Sequence, residues 1–318
     1  MEDYPRTLAE FESRFSTEDA CLDFLYGLRW PNGFVCPRCR HVGGWHVGSM
    51  LIECMECSYQ ASAKAGTIFH RSRVPLTVWF RAIWWITSQK TGTSALGLQK
   101  ILGFGSYKTV WALLHKIRRA MVRHGRECLR GTLEIDEIYV GGEKPGKRGR
   151  GATGKVLVMI ATEIKDEQIG RIRLRCVENA SAATLEAAVK EVAQSGSVIR
   201  TDGWSGYSQI GRLQYIHKVV RKDAKIGENL LPYCNRVASL LKRWLLGTHQ
   251  GAVSHEHLDY YMDEFTFRFN RRTSRHRGKL FFRLLQNAVQ VEPVPFSQLR
   301  KRVRDRKPRN TTYRYNLT

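Results

Sequence analysis

Apolar residues recur along the chain in two rhythms, and the change falls near residue 130. Before it they return every three or four positions, as on one face of a helix, and the clearest such stripe is Val110, Leu113, Leu114, Ile117 and Met121. After it they form short β-branched runs typical of strands, at 132–140, 155–163, 169–177, 197–201 and 215–220. The pattern therefore predicts a helical first half and an α/β second half.

The first half contains two short helices with the spacing of a helix-turn-helix. Helices are predicted at about 6–28, 75–89, 94–102 and 106–121. Gly103-Phe104-Gly105 separates the last two. Lys108, Lys116 and Arg119 lie off the apolar stripe of the final helix, so this helix could enter a DNA major groove. A helical hairpin with a solvated basic face gives the same pattern, and that alternative stays open.

Two CxxC motifs lie upstream of these helices, Cys36 with Cys39 and Cys54 with Cys57. Four thiolates in two tight turns are what tetrahedral zinc requires, so we expect a structural zinc ribbon. A redox CxxC is the alternative, and the second pair argues against it. The other cysteines are scattered through apolar surroundings and predict small buried side chains rather than a disulfide framework: Cys21, Cys128, Cys176 and Cys234.

The second half has the element order of a known α/β arrangement. Three strands joined by short turns precede an alanine-rich helix at 181–194 and a fourth strand. This is the order of the ribonuclease-H-like fold, so we expect a mixed five-stranded sheet with helices. Further helices are predicted at 231–246, 255–269 and 277–289.

The first of these strands carries acids inside an apolar run. Alternation puts Glu134 and Asp136 on one face and Glu137 on the other. A buried carboxylate needs a cation, a metal or a full set of donors. Asp202 directly follows the fourth strand, where active sites of open α/β sheets form. Asp136 and Asp202 are therefore candidate metal ligands, and edge-strand acids that face water or pair with arginine are the alternative.

Net charge points to a polyanionic partner. The 318 residues carry a net charge of +23, from 52 basic and 29 acidic residues, which indicates nucleic acid. Lys147 and Arg148 lie in a glycine-rich basic loop that could touch nucleic acid near Asp136 or remain solvated. The end of the chain, 291–318, is predicted to be a disordered basic tail. No apolar run reaches the ~20 residues of a membrane span and no signal-peptide pattern opens the chain, so a cytoplasmic, nucleoid-associated location is expected.

Several segments resemble one known group of proteins. They lie at 29–39, 65–69, 135–137, 201–203, 239–243 and 265–272. Together they are similar to segments of bacterial insertion-sequence transposases of the DDE type with an N-terminal zinc ribbon, the insertion-sequence family fifteen ninety-five. The resemblance covers most of the chain and keeps the segments in order.

This resemblance implies an enzyme that binds the terminal inverted repeats of an insertion sequence and catalyses DNA strand cleavage and strand transfer. Asp136, Asp202 and Asn235 are then the catalytic residues, which hold two Mg²⁺ or Mn²⁺ ions, with Asp136 bridging both. Many relatives have glutamate at the third position. An amide oxygen can bind magnesium but brings no charge, so a catalytically inactive, domesticated DNA-binding regulator is the competing interpretation.

The same resemblance implies DNA contacts. Lys242 follows Asn235 by two helical turns, as a DNA-contacting basic residue does in such enzymes, and Arg243 and Arg271 lie in the matching segments. Double-stranded DNA of element ends and target, and a homo-oligomeric synaptic complex, are the implied partners. A ribonuclease acting on RNA–DNA hybrids is a third possibility.

The expected organisation has five parts. They are an N-terminal helical segment (1–30), a zinc ribbon (31–72), a helix-turn-helix region (73–125), a ribonuclease-H-like catalytic domain (130–290) and the basic tail (291–318). Glu228 and Glu264 are possible replacements for the third ligand, although neither has a basic residue at the matching downstream spacing.

Overall fold

A computed structural model of the protein describes residues 3–48, 50–122, 125–141, 155–223, 229–251 and 253–299. The chain begins with two helices, α1 (Leu8–Arg14) and α2 (Glu18–Arg29), where one helix was predicted. Thr17 breaks the run because its side chain accepts the backbone N–H of Ala20 and so caps the second helix. A small antiparallel sheet follows, with β1 (Gly44–Val47), β2 (Leu51–Cys54) and β3 (Gln60–Ala61).

Four helices pack with α1 and α2 into one helical body. They are α3 (Leu76–Ser88), α4 (Ala95–Leu102), α5 (Tyr107–Ala120) and, from late in the chain, α9 (Arg277–Ala288). Phe11 stacks on Trp84 with ring centroids 4.7 Å apart, and Phe281 of α9 meets Phe11 edge-on at 5.4 Å. These aromatic rings bury α9 against α1 and α3, so the segment predicted as the end of the catalytic domain contributes to the helical core instead.

The second half forms a mixed five-stranded sheet. Its strands are β4 (Thr132–Val140), β5 (Val156–Lys165), β6 (Gln168–Val177), β7 (Val198–Thr201) and β8 (Ile216–Val219). Their spatial order is β6-β5-β4-β7-β8; the first three are antiparallel, and β7 runs parallel to β4 and β8. With α6 (Ala182–Val192) between β6 and β7, this is the predicted ribonuclease-H-like fold.

Helices cover both faces of this sheet. Helix α6 packs on the face of Leu133 and Ile135, where Leu185 and Val189 complete a buried cluster. Helices α7 (Pro232–His249) and α8 (Leu258–Phe269) cover the opposite face. Strand β4 is therefore central and covered on both sides, so the acids it carries on the α7 face are not exposed edge-strand acids.

The last described residues belong to the fold. Val291, Val294 and Leu299 are buried, and Phe296–Leu299 form a short helix, α10. The fold thus extends past the predicted start of the tail at 291, and residues 300–318 of that tail lie outside the described residues. None of the helices in the described part of the chain is long and apolar enough to cross a membrane.

Candidate active site and nucleic-acid interface

Three predicted ligands line one cleft at the carboxyl ends of β4 and β7, inside the sheet rather than at an edge strand. Asp136 comes from the middle of β4, Asp202 directly follows β7, and Asn235 lies in the first turns of α7. The cleft has a volume of about 290 Å³ and is lined by Asp136, Asp202, Asn229, Leu230, Leu231 and Asn235. Residues up to 99 positions apart in the sequence are thus brought together.

The sheet register explains why the two aspartates meet. Glu134 pairs with Arg200 in the parallel β4–β7 ladder, and this is the last pair of that ladder. Asp136 and Asp202 each lie two positions further on, so their side chains emerge on the same face of adjacent strands. Because the strands separate beyond this pair, a crevice opens at their carboxyl ends.

The cleft concentrates negative charge. Burial and the carboxylates of Glu137, Asp202 and Glu134 together raise the pKa of Asp136 to about 6, although the Glu137 N–H acts in the opposite direction. One oxygen of Asp136 accepts that N–H at 2.9 Å, and one oxygen of Asp202 accepts the N–H of Trp204 at 2.9 Å. Within the described ranges no basic side chain lines the cleft. A divalent cation would relieve this repulsion.

The amide of Asn235 is held by a neighbour. Its Nδ2 donates to Oδ1 of Asn229 at 2.6 Å, which leaves the Asn235 Oδ1 available as a ligand. The cleft therefore offers two carboxylates and an amide oxygen, an all-oxygen donor set that suits Mg²⁺ or Mn²⁺. Sequence reasoning missed Asn229, because only the fold shows that this loop residue contacts the helix six positions later.

The other acids near the site have different partners. Oε2 of Glu134 accepts the backbone N–H groups of Tyr233 and Cys234 at 2.9 and 3.0 Å. Oε2 of Glu137 accepts the hydroxyl of Tyr207 at 2.8 Å on the opposite face of the sheet. Both acids are thus held by protein donors, and the sequence did not reveal which groups they bind.

The structure argues against Glu264 as a replacement ligand. It is buried between Arg118, at 2.7 Å, and Arg268, at 2.8 Å, and does not line the cleft. These two guanidinium groups compensate its negative charge, so Glu264 stabilises the fold rather than binding metal in the cleft. Glu228 lies outside the described residues.

The four cysteines of the two CxxC motifs converge. Their Sγ atoms all lie within 4.8 Å of one another, with Cys36 to Cys57 at 3.6 Å and Cys39 to Cys54 at 3.5 Å. Thiolates arranged tetrahedrally around zinc at about 2.3 Å are about 3.8 Å apart. The cluster has the size of a zinc site. It joins the turn that precedes β1, with Cys36 and Cys39, to the turn between β2 and β3, with Cys54 and Cys57.

The predicted recognition helix is largely packed inside the protein. His115 and Arg118 of α5, which also lie off the apolar stripe, are buried, and Lys116 and Arg119 are half-buried. Burial lowers the pKa of Lys116. Only Lys108, in the first turn, is exposed as expected. The basic face predicted along the whole helix is therefore wrong, because α8 and α9 pack against it. The part of α5 that remains exposed is its N-terminal turn.

The remaining predicted DNA contacts differ in exposure. Lys242 and Arg243 are exposed on α7. Arg271 is half-buried, with its guanidinium carbon 4.2 Å from the ring centroid of Phe267 and Nη1 donating to the Phe267 carbonyl at 3.3 Å. This packing engages Arg271 within the fold, and its contact with DNA stays a prediction. Lys147 and Arg148 lie outside the described residues.

Comparison with known proteins agrees with this architecture. Residues 128–270 match the ISXO2-like transposase domain, and residues 16–60 match the transposase zinc-ribbon domain. The chain belongs to the zinc-ribbon DDE transposase family. It is also 29% identical over 288 residues to an uncharacterized protein in transposable element ISH50 of Halobacterium salinarum, an alignment that covers 83% of this chain and 94% of that protein.

The matched segments follow the structure of this transposase. The zinc-ribbon match, 16–60, contains all four cysteines, which supports a structural zinc ion in the ribbon. The transposase-domain match, 128–270, begins just before β4 and ends just after α8, so it contains the whole cleft and leaves out α9. Family membership thus supports a nuclease or transferase type of enzyme, and it agrees with the packing of α9 in the helical body.

Proposed function

We propose that this transposase binds the terminal inverted repeats of its insertion sequence and catalyses metal-dependent strand cleavage and strand transfer. The observation that carries the proposal is the convergence of Asp136, Asp202 and Asn235 in one cleft. An acidic, oxygen-lined crevice at the carboxyl ends of parallel strands suits divalent ions that act on a phosphodiester.

The side chains of the cleft have separate tasks in this proposal. Asp136, central on β4, would hold the Mg²⁺ or Mn²⁺ together with Asp202 and Asn235. When bound there, such ions would supply activation of a water or a 3′ hydroxyl and stabilisation of the leaving oxygen. Asn229 keeps the amide oxygen of Asn235 available to its ion.

Basic residues outside the cleft hold the DNA. Lys242 lies seven residues after Asn235, about 10 Å further along the same face of α7, and Arg243 is its exposed neighbour. These cations bind backbone phosphates next to the scissile bond. The zinc ribbon and the exposed first turn of α5 bind the terminal repeat, and two or more copies join both element ends with the target DNA.

Strand cleavage of labelled DNA tests the proposal. The full-length protein is incubated with a duplex that ends in the terminal repeat of its element, in Mg²⁺ or Mn²⁺. We expect cleavage and joining to a target plasmid, and a loss of about 100-fold or more in Asp136→Asn and Asp202→Asn with DNA binding retained. Asp166→Asn is the matched control, because Asp166 is an exposed acid in the β5–β6 turn of the same sheet.

The neutral ligand Asn235 favours one competing function. With an amide in place of a carboxylate, the site has less charge to hold metal, as expected for a DNA-binding regulator that no longer cuts. A wild type that binds terminal repeats specifically but never cleaves them supports that function. Cleavage of RNA–DNA hybrids without any need for terminal repeats indicates a ribonuclease instead.

A further inference from the structure

Helix α7 begins without a cap of its own. Leu231 occupies its N-cap position and offers no side-chain hydrogen bond, and Pro232 follows as the first helical residue. The next two backbone N–H groups, of Tyr233 and Cys234, have no partner within the helix. Both donate to one oxygen of Glu134, at 2.9 and 3.0 Å. A carboxylate from a strand 99 and 100 residues earlier therefore caps this helix.

This capping contact lies next to two of the proposed metal ligands. Glu134 precedes Asp136 by two positions on β4, so both side chains lie on the α7 face of the sheet. Cys234 directly precedes Asn235, which is in the next position of the helix. The contact thus joins β4 to α7 two residues away from Asp136 and one residue away from Asn235.

Burial and charge make this contact specific. The Glu134 side chain is fully buried and does not line the cleft. The positive end of the α7 dipole and Arg200 compensate its charge, with Nη1 of Arg200 at 3.7 Å from Oε1. Because one buried oxygen accepts both N–H groups, the start of α7 has one favoured position against β4.

We propose that Glu134 is a positioning residue that sets the distance between Asp136 and Asn235 by capping α7. It touches neither metal nor DNA and acts only through the backbone of Tyr233 and Cys234. Partners that orient metal ligands in this indirect way typically change metal affinity about 10–100-fold when removed. This inference rests on the metal-dependent function proposed above.

Two conservative substitutions separate positioning from a direct role of the charge. Glu134→Gln keeps the length and one acceptor oxygen at the helix start but loses the charge. Glu134→Asp keeps the charge but is one methylene shorter, so its oxygens withdraw from Tyr233 and Cys234. Positioning predicts that Glu134→Gln stays close to wild type and that Glu134→Asp is impaired, whereas a residue that binds metal through its charge predicts the reverse order.

Mn²⁺ binding to the zinc-loaded, full-length protein provides a measurement that does not need activity. Electron paramagnetic resonance of free Mn²⁺ gives the dissociation constant of each variant. We expect Glu134→Asp to weaken binding about 10-fold or more and Glu134→Gln to leave it nearly unchanged. Glu163→Gln is the matched control, since Glu163 is a partly buried acid on β5 that also accepts two backbone N–H groups, of Arg130 and Arg171, away from the cleft.

Cleavage assays across a range of Mg²⁺ concentrations complete the test. The metal concentration for half-maximal cleavage should rise in Glu134→Asp in parallel with the Mn²⁺ dissociation constant, while DNA affinity stays the same. The proposal is overturned if Glu134→Asp binds Mn²⁺ like wild type, if Glu134→Gln is the more impaired variant, or if wild type binds no Mn²⁺. A wild type that binds Mn²⁺ but cleaves nothing refutes the proposed function, and the Mn²⁺ comparison still decides the role of Glu134.

Discussion

Arg118 and Glu264 form a buried ion pair between the helical body and the sheet domain. Nε of Arg118 lies 2.7 Å from Oε2 of Glu264, and the two side chains are 2% and 1% exposed. Arg268 binds the other Glu264 oxygen at 2.8 Å and donates to the carbonyls of Gln89 and Ile86 at the end of α3. Helix α5, predicted to lie free on DNA, is therefore anchored to α8, and through α8 to α3.

Breaking this pair should destabilise the protein. Glu264→Gln leaves two buried guanidinium groups with a neutral partner, and we expect a loss of about 3–5 kcal/mol in the free energy of unfolding at pH 7. Urea denaturation measures this loss. Glu191→Gln, which breaks the exposed pair with Arg175, should change stability by less than about 1 kcal/mol. Equal effects of the two substitutions would contradict the structural role of the buried pair.

His249 should make the protein sensitive to mild acid. Burial and the charges of Arg118 and Arg268 together lower its pKa to about 4, although Glu264 acts in the opposite direction. Between pH 6.5 and 4 the unfolded chain binds the proton that the folded protein excludes, so stability falls as the pH falls. We expect a loss of about 2 kcal/mol between pH 7 and pH 5 from this residue.

His249→Phe tests this expectation, because phenylalanine keeps the ring contacts with Trp244 and Tyr261 but cannot titrate. Its unfolding free energy should fall less than that of wild type between the same two pH values. Glu264, whose pKa the buried arginines hold at about 2 against the effect of burial, adds a separate loss below about pH 4.5 in both proteins. Identical pH profiles above pH 5 would exclude a contribution from His249.

The ribbon should contain one zinc ion per chain. Cys54→Ser replaces a fully buried ligand, so we expect the zinc content to fall and the ribbon to become susceptible to protease. Atomic emission of the purified protein and limited proteolysis measure the two effects. Cys128→Ser is the control, because Cys128 lies outside the cluster and donates only to the carbonyl of Glu191. Full zinc occupancy in Cys54→Ser would refute a four-cysteine site.

DNA affinity should depend on Lys108 more than on Lys116. Lys108 is exposed in the first turn of α5, whereas Lys116 is half-buried. Lys108→Ala should weaken binding of the terminal repeat and reduce the slope of log affinity against log salt by about 1. Lys116→Ala and the control Lys190→Ala, on α6 across the sheet from α7, should leave the slope unchanged. A larger effect of Lys116 would mean that α5 binds DNA along its length.

Asn235 should control how much metal the enzyme needs. Asn235→Ala removes the amide oxygen and should abolish cleavage. Asn235→Asp adds a charge to the cleft and should lower the Mg²⁺ concentration for half-maximal activity. Asn229→Ala frees the Asn235 amide to rotate and should raise that concentration while DNA affinity stays constant. Cleavage by Asn235→Ala at the wild-type rate would exclude this residue from the site.

Local patterns predicted most elements of this protein well. The stripe from Val110 to Met121 predicted α5, which spans Tyr107–Ala120, and the β-branched runs predicted all five strands of the large sheet. The spacing of Cys36, Cys39, Cys54 and Cys57 predicted a metal cluster. Such signals are short-range, because helix and strand periods and tight metal-binding turns depend on neighbouring residues.

Long-range packing decided what the patterns left open. Sequence alone determined the α/β fold class, the two paired cysteine motifs, the family and the choice of Asp136, Asp202 and Asn235 as candidate ligands. Only the tertiary structure decided that α9 belongs to the helical body, that α5 is mostly buried, and that Glu134 caps α7. A basic or acidic side chain looks the same in sequence whether it faces water or a buried partner. Its partners come from distant elements, 146 residues away for Arg118 and Glu264 and 182 for Arg268 and the Ile86 carbonyl, and only the fold brings them together.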